Sequence, residues 1–555
     1  MHRMTGVEAN LVNDAQFPPG TIWLSDRENE QVVLAPQPTS DPNDPLNWSA
    51  WRKTVQMTLL SLYAIMVYGF LTVSPPLWAD MNSELGFSYS TLNNSYGVSA
   101  ATLSIGCIVF TPFAMRYGRR PVYIITSLII FGMDIWSARM QNVPDLMLSN
   151  VFMGLAGSVN ESLFQMTVND LFFVHQRGSL NGLLFFCSTI GNYLAPVAGG
   201  YIAISSQGWR WSFWYLAIFQ GIISVLLIFF LEETQYVPDD GINAQVPSGR
   251  NASIDASAEE KSAKEKQDEI DEGIVLEIGS NKITSRRRLV EIDTTIPMRS
   301  RGRRYAMYTL TSVSHYSWAR HLYQPFALLY YFPAVAFAAL QWAFCLAALS
   351  IVAVSTSNIY PYAPYNFSAA DVGNLNIAPA IGSIIGVAWG GPIVDWAIVR
   401  LARRNGGLYE PEMRLVLFIL PGTLMPVGVF MYGLCTAEGM HWIIPTIGSA
   451  LIGFGIGGTG DIALTYLQDA YELVLPDALI GVAFVRNIMA TILVFAIGPW
   501  FDGMGVYNSF VLLGCLSVAF SLLAVPMFFF GKKARIRRKN EYEYYAQKMF
   551  VVKRG

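Results

Sequence analysis

The chain has 555 residues, of which 53% are apolar, 13% aromatic and only 14% charged. A soluble domain carries roughly a quarter charged residues, so this composition excludes an ordinary soluble enzyme and points to a chain solvated largely by lipid. A net charge of −3 also argues against nucleic acid or another polyanion as the partner.

Residues 1–50 have no apolar core and are rich in Asn, Asp and Pro, which predicts a disordered cytosolic tail rather than a signal peptide. A spanning helix needs about 20 apolar residues. Twelve such runs follow, at 54–75, 93–114, 121–140, 146–168, 180–203, 212–231, 327–355, 373–394, 413–434, 442–466, 479–500 and 508–530. They predict an all-α integral membrane protein of twelve transmembrane helices. The helices divide into two six-helix, pseudo-symmetric halves around a central cavity, residues 51–234 and 325–531. Between them lies a polar stretch, 235–324, with Glu259, Glu260, Lys261 and Arg286, Arg287, Arg288, and with too few apolar residues for a core. It reads as a cytosolic linker, either a flexible tether or a regulatory segment. Residues 532–555 form a basic cytosolic tail.

Basic residues in short loops set orientation. With the N-terminus in the cytosol, the inner loops hold Arg116, Arg119, Arg120, Arg177, Arg400, Arg403, Arg404 and Arg414, and the outer loops only Arg139 and Arg210. Both termini are therefore expected in the cytosol. Four cysteines lie inside apolar runs and Cys435 ends one, with no CxxC pair, so they read as buried small hydrophobes. The histidines form no cluster, and neither a metal nor a cofactor is expected. Asn366-Phe367-Ser368 is a glycosylation acceptor on the expected outer side.

The two halves repeat each other. Gly154, Asp170 and Gly182 recur as Gly453, Asp469 and Gly481, each 299 residues on. Duplicated halves enclose a cavity that opens to alternate sides by rocking.

Several motifs carry a resemblance. After the second run stand Thr111, Met115, Arg116, Gly118, Arg119 and Arg120; after the eighth stand Gly391 and Asp395. In the fifth run Gly182, Gly191, Ala195, Pro196, Gly199 and Gly200 follow the spacing G-x8-G-x3-G-P-x2-G-G, with one Gly changed to Ala. These stretches resemble the major facilitator superfamily, and within it the fungal twelve-span drug:proton antiporters, over about residues 48–535. Also similar to the fungal members are 169–178, 208–211, Tyr409 to Glu412, Gln468 to Tyr471 and Val485-Arg486-Asn487. The resemblance implies a cytosolic gate of Arg116, Gly118, Arg119, Arg120, Asp170, Arg177, Gly391, Asp395 and Asp469. It implies an antiporter motif of Gly182, Gly191, Pro196, Gly199 and Gly200, whose proline bends the helix and whose small residues admit close neighbours. Two departures stand out. Thr111 and Met115 replace the loop's Gly and Asp, and Asn150 replaces the Arg tied to proton coupling.

Ionisable groups inside a membrane are costly and mark function by default. Glu161 lies nine residues before Asp170, roughly 13 Å along the helix at about 1.5 Å per residue, near the bilayer midplane. Asn150, Gly154, Gly157, Glu161 and Gln165 share one helix face. Asp461 occupies a similar depth in the tenth run, and Arg486 in the eleventh. An Asp461–Arg486 pair is expected, which leaves Glu161 without an obvious partner. Glu161 is then either the proton or cation carrier or a hydrogen-bonded structural carboxyl. Asp134 is expected near the interface beside Arg139. Tyr330, Tyr331 and Trp342 are candidates to stack on a solute.

The expected function is secondary active transport of small organic solutes, as proton-coupled efflux of drugs or secondary metabolites, with transport of organic cations such as polyamines as the alternative. A membrane-bound enzyme lacks support, having no nucleotide loop and no paired loop carboxylates. A non-transporting sensor is the reading from another class. The expected setting is a monomer in the plasma membrane, with the solute, protons and the bilayer as its partners.

Overall fold

The computed structural model describes residues 18–23, 41–172, 174–236, 298, 300–305 and 318–548. Among these residues, ten segments are long and apolar enough to cross a membrane. The first group of helices is α1 Ala50–Val73, α2 Trp78–Leu85, α3 Tyr89–Tyr117, α4 Arg119–Ala138, α5 Val143–Leu171, α6 Val174–Thr189, α7 Ala195–Ile204 and α8 Arg210–Phe230. After the short α9 Arg301–Arg304 come α10 Trp318–Tyr331, α11 Pro333–Ile359, α12 Ala369–Asn374, α13 Ile377–Ala388, α14 Val394–Arg404, α15 Ile419–Ala437, α16 Ile443–Ala470, α17 Leu475–Leu522, α18 Ala524–Arg537 and α19 Lys539–Lys548. Most of the expected linker lies outside the described residues.

Local sequence sets the helix boundaries. Ser88 accepts the Thr91 amide at the start of α3, and Asn142 with Asp145 forms a capping box on α5. Gly86, at φ 68°, ends α2 in the left-handed conformation that costs glycine nothing. Gly505, at φ 78°, breaks α17 into two arms. Two π-helical turns interrupt the fifth and eighth apolar runs, at Ile190–Leu194 and Trp389–Ile393. Such turns free backbone groups and recur at functional sites.

Buried side chains form two cores. One fills the first group and continues into the second through Ile351, Val354, Tyr432, Leu493, Ile497 and Phe510. The other lies within the second group, around Leu328, Phe332, Phe418, Tyr466 and Tyr471. This second core is at the face that carries residues 18–23 and 531–548, here termed the terminal face. The two groups thus share a core toward the far face and keep separate ones at the terminal face. Far-face contacts are close: Asn93 Nδ2 donates to the Val494 carbonyl at 2.8 Å, and Tyr89 and Tyr362 stack edge-on at 5.8 Å.

The expected disordered tail is corrected at two places. Ile22–Trp23 pairs antiparallel with Leu408–Tyr409. Residues 41–49 fold onto the first group, where Asp41 accepts the Tyr236 hydroxyl at 2.9 Å and the Leu46 carbonyl accepts Lys53 Nζ at 3.0 Å. Polar composition had hidden these because backbone and side-chain hydrogen bonds hold both pieces, with Leu46 and Trp48 adding apolar burial in the second.

Backbone-to-backbone approach governs the α13–α16 contact. A Cβ on Gly382 would overlap the Ala450 carbonyl, and one on Gly457 would press on the Ser383 carbonyl. Gly182 has open space around it. Gly382→Leu is therefore expected to cost at least about 3 kcal/mol by overpacking, with loss of the monodisperse peak in size exclusion. Gly182→Leu should keep that peak and its melting temperature.

Candidate functional site

A cavity lies between the two groups. Its wall takes Tyr68, Tyr96, Glu161, Gln165, Phe185 and Tyr193 from the first group and Trp342, Ser383 and Arg486 from the second. The wall mixes aromatic and aliphatic side chains with polar ones such as Ser99, Gln165, Asn192 and Ser350, as suits a bound organic molecule with both apolar and polar parts.

Glu161 and Arg486 form an ion pair across this cavity, with side chains 5% and 13% exposed. Asn487 Nδ2 donates to the other carboxylate oxygen at 2.8 Å, and the Cys107 thiol lies 3.6 Å from it. The guanidinium sits 5.4 Å from the Trp342 ring centre, while the indole N–H donates to the Gly460 carbonyl at 2.8 Å. Arg486 Nε, Gln165 Oε1 and Asn487 Oδ1 lack hydrogen-bond partners among the described residues. An unsatisfied buried group costs roughly 1–3 kcal/mol, so Gln165 and Arg486, which line the cavity, are natural contacts for a solute, while Asn487 is fully buried and outside the wall.

This corrects the expected pairing. Arg486 belongs to Glu161, and Asp461 is left without a side-chain partner among the described residues. The reason is packing across the groups: α17 runs along α3 and reaches α5, whereas depth alone leaves the facing direction open. Asp461 is 9% exposed and lies outside the cavity wall. It rests against the π-turn, where a Cβ on Gly390 would come within 2.9 Å of its carboxylate and one on Gly391 within 3.6 Å.

Other expected residues divide. Gln165 lines the cavity, but Asn150 bonds its own helix, Nδ2 to the Leu146 carbonyl at 2.8 Å. Trp342 lines the cavity; Tyr330 is 81% exposed, and Tyr331 packs on Tyr545 at 5.9 Å. Asp134 is fully buried, not interfacial, and Arg139 stacks on Trp214 instead. Cys515 is exposed, contrary to expectation. Asn366 is exposed at φ 51°. Of the fifth-run glycines, Gly191 packs on Tyr68, Gly199 on Val73 and Gly200 on the Ala369 backbone, while Gly182 meets nothing among the described residues. Pro196 starts the buried face of α7 directly after the π-turn.

At the terminal face the repeated aspartates each hold an arginine. Arg119 Nε is 3.3 Å from Asp170. Arg414 reaches Asp469 at 2.5 Å and Asp395 at 2.9 Å, and Tyr409 donates its hydroxyl to Asp469. Burial disfavours the Arg414 charge, but Asp469, Tyr409 and Asp395 outweigh it and hold the proton more tightly than usual. The missing acid at Met115 has a substitute that motif reading did not find. Glu233 accepts the backbone amides of Arg119 at 2.9 Å and Arg120 at 3.1 Å, at the N-terminus of α4. Burial raises its carboxyl above the usual range, against the pull of those amides. Gly118, at φ 104°, is required there, since a Cβ would overlap the Glu233 carboxylate. Arg120 spends its guanidinium on the Leu231, Ile228 and Tyr305 carbonyls. Arg116 is exposed beside Tyr117, and the Arg177 side chain lies outside the described residues.

A cavity between two groups of membrane-length helices, with charges meeting across it and charge clusters at the terminal face, defines a membrane transporter. Residues 59–499 match the sequence model of the Major Facilitator Superfamily. The chain belongs to that family and is a secondary transporter of small solutes. It is 32% identical to the uncharacterized MFS-type transporter C1271.10c of Schizosaccharomyces pombe, over 94% of this chain and 90% of that one. It is 28% identical to the protein HOL1 of Saccharomyces cerevisiae, over 96% and 95%. With the efflux pump radE of Floropilus chiversii the identity is 26%, over 89% and 83%.

Proposed function

We propose that the chain exchanges protons for small organic solutes, in the direction of efflux, and that Glu161 and Arg486 are the exchange switch. The carrying observation is their ion pair across the cavity. A proton on Glu161 removes the charge that binds Arg486. A solute that engages either member also breaks the tie between the groups. Proton and solute then compete for one site, which is the condition for exchange. Asp461 is a second coupling group, without a side-chain partner among the described residues and next to the eighth-run π-turn.

The architecture belonging to this reading has twelve spans in two six-helix halves, 51–234 and 325–531. α5 has membrane length but carries Asn150, Asn160, Glu161 and Gln165, which lower its hydropathy. The long segment Asp477–Arg537 counts as two spans when divided at Gly505. The linker 235–324 and both termini face the cytosol, and the chain works as a monomer in the plasma membrane. The charge clusters Arg119–Asp170 and Arg414–Asp395–Asp469 are its cytosolic gate.

One observation favours a cationic solute. The cavity already accommodates a cation, the Arg486 guanidinium, between a carboxylate and the Trp342 ring. An organic cation can take the same place. The test uses proteoliposomes with a trapped pH dye, to which spermidine, a cationic dye and a neutral lipophilic toxin are added separately. A solute-driven proton signal is expected, lost in Glu161→Gln. A Glu161→Gln variant with unchanged transport and pH dependence would overturn the switch.

A further inference from the structure

Residues 18–23 lie on the terminal face of the second group as a short peptide, a turn at Pro19-Gly20 leading into the strand Ile22–Trp23. Three observations fix them there. Their strand Ile22–Trp23 pairs in register with Tyr409 and Leu408. Arg535, 1% exposed, bonds Glu412 through Nε at 3.0 Å and Nη2 at 2.5 Å, and turns Nη1 to the Pro19 carbonyl and to Thr21 Oγ1 at 3.1 Å. Gly20, at φ 81°, lies so close to the Asp469 carbonyl that a Cβ would overlap it. A side chain at position 20 is thus excluded by both space and backbone conformation.

What this peptide touches is the charge cluster at the terminal face of the second group. Its strand partner Tyr409 donates to Asp469, and its glycine covers the Asp469 backbone. Asp469 in turn binds Arg414. The same tail clasps the first group further on, through Asp41 and Leu46. The corresponding first-group cluster is covered differently, by Glu233 and by residues 300–305, where the Arg304 carbonyl accepts the Glu233 amide at 3.4 Å.

We propose that residues 18–23 are a built-in peptide ligand, added by strand pairing, which holds the Tyr409–Asp469–Arg414 cluster closed and slows the movement of the second group. The face formed by Leu408–Tyr409, Glu412, Asp469 and Arg535 is its docking site. This holds for any solute and does not depend on proton coupling.

The test is hydrogen exchange on the full chain in nanodiscs, comparing wild type with Gly20→Val and Ile22→Pro. In the wild type the amides of 408–409 are expected to be protected. Each variant is expected to speed exchange across 408–416 and 466–472 by about tenfold or more, with 228–236 unchanged. In proteoliposomes with the cationic dye, both variants should turn over several-fold faster, since the restraint is removed. Faster exchange confined to 18–23, unchanged turnover, or unprotected 408–409 amides in the wild type would each overturn the proposal. Two variants at different contacts separate loss of docking from a local folding defect. A proton signal that still depends on Glu161 in both variants would leave the exchange switch standing.

Discussion

Arg486→Ala is expected to destabilise the protein by roughly 3–5 kcal/mol, because it leaves the Glu161 carboxylate charged and unpaired at 5% exposure. Adding Glu161→Gln should recover most of that loss, since the double variant buries no charge. The measurement is thermal unfolding of all four members of the cycle in one detergent–lipid mixture. A coupling of at least about 1 kcal/mol between the two positions is the expected result; additive effects would mean that the two charges do not meet. Arg486→Lys keeps the charge but loses the planar fork and much of the contact with Trp342. It should fall between wild type and Arg486→Ala.

The second large effect is expected at the terminal face. Arg414→Gln strips one cation from two carboxylates and a tyrosine at once. Asp395 is 65% exposed and can be solvated by water, but Asp469 is only 28% exposed. The cost should be about 2–3 kcal/mol, below that of a fully buried pair. Arg119→Gln removes one cation from one carboxylate, Asp170, and the amides that Glu233 caps stay in place. It should cost about 1 kcal/mol. Melting temperature and dye transport measured side by side decide this; equal effects would show that the two clusters carry equal weight.

The repeat at 299 residues was informative, but unevenly. Gly154 meets the Ser99 backbone of α3 and Gly453 the Pro379 backbone of α13, so both do the same packing work. Asp170 and Asp469 both hold an arginine. Gly182 and Gly481 diverge, since one faces open space and the other the Pro325 carbonyl. Two residues at the terminal face, Glu233 and Arg535, were not singled out by motif. Each lies outside the repeated positions and acts on backbone groups far away in sequence.

Composition and run length alone determined that this is a helical membrane protein, because about 20 apolar residues are needed wherever water is absent. Motif spacing determined the family, and depth along each helix put Glu161, Asp461 and Arg486 at one level. Tertiary structure decided which of them pair. Helical periodicity fixes the face of a helix on which a side chain stands, but the neighbour that face meets depends on how the two groups of helices pack. That packing brought Arg486 to Glu161 and left Asp461 at a π-turn. It also drew a polar N-terminal stretch onto Arg535, because backbone hydrogen bonds carry no residue-specific signal in the sequence.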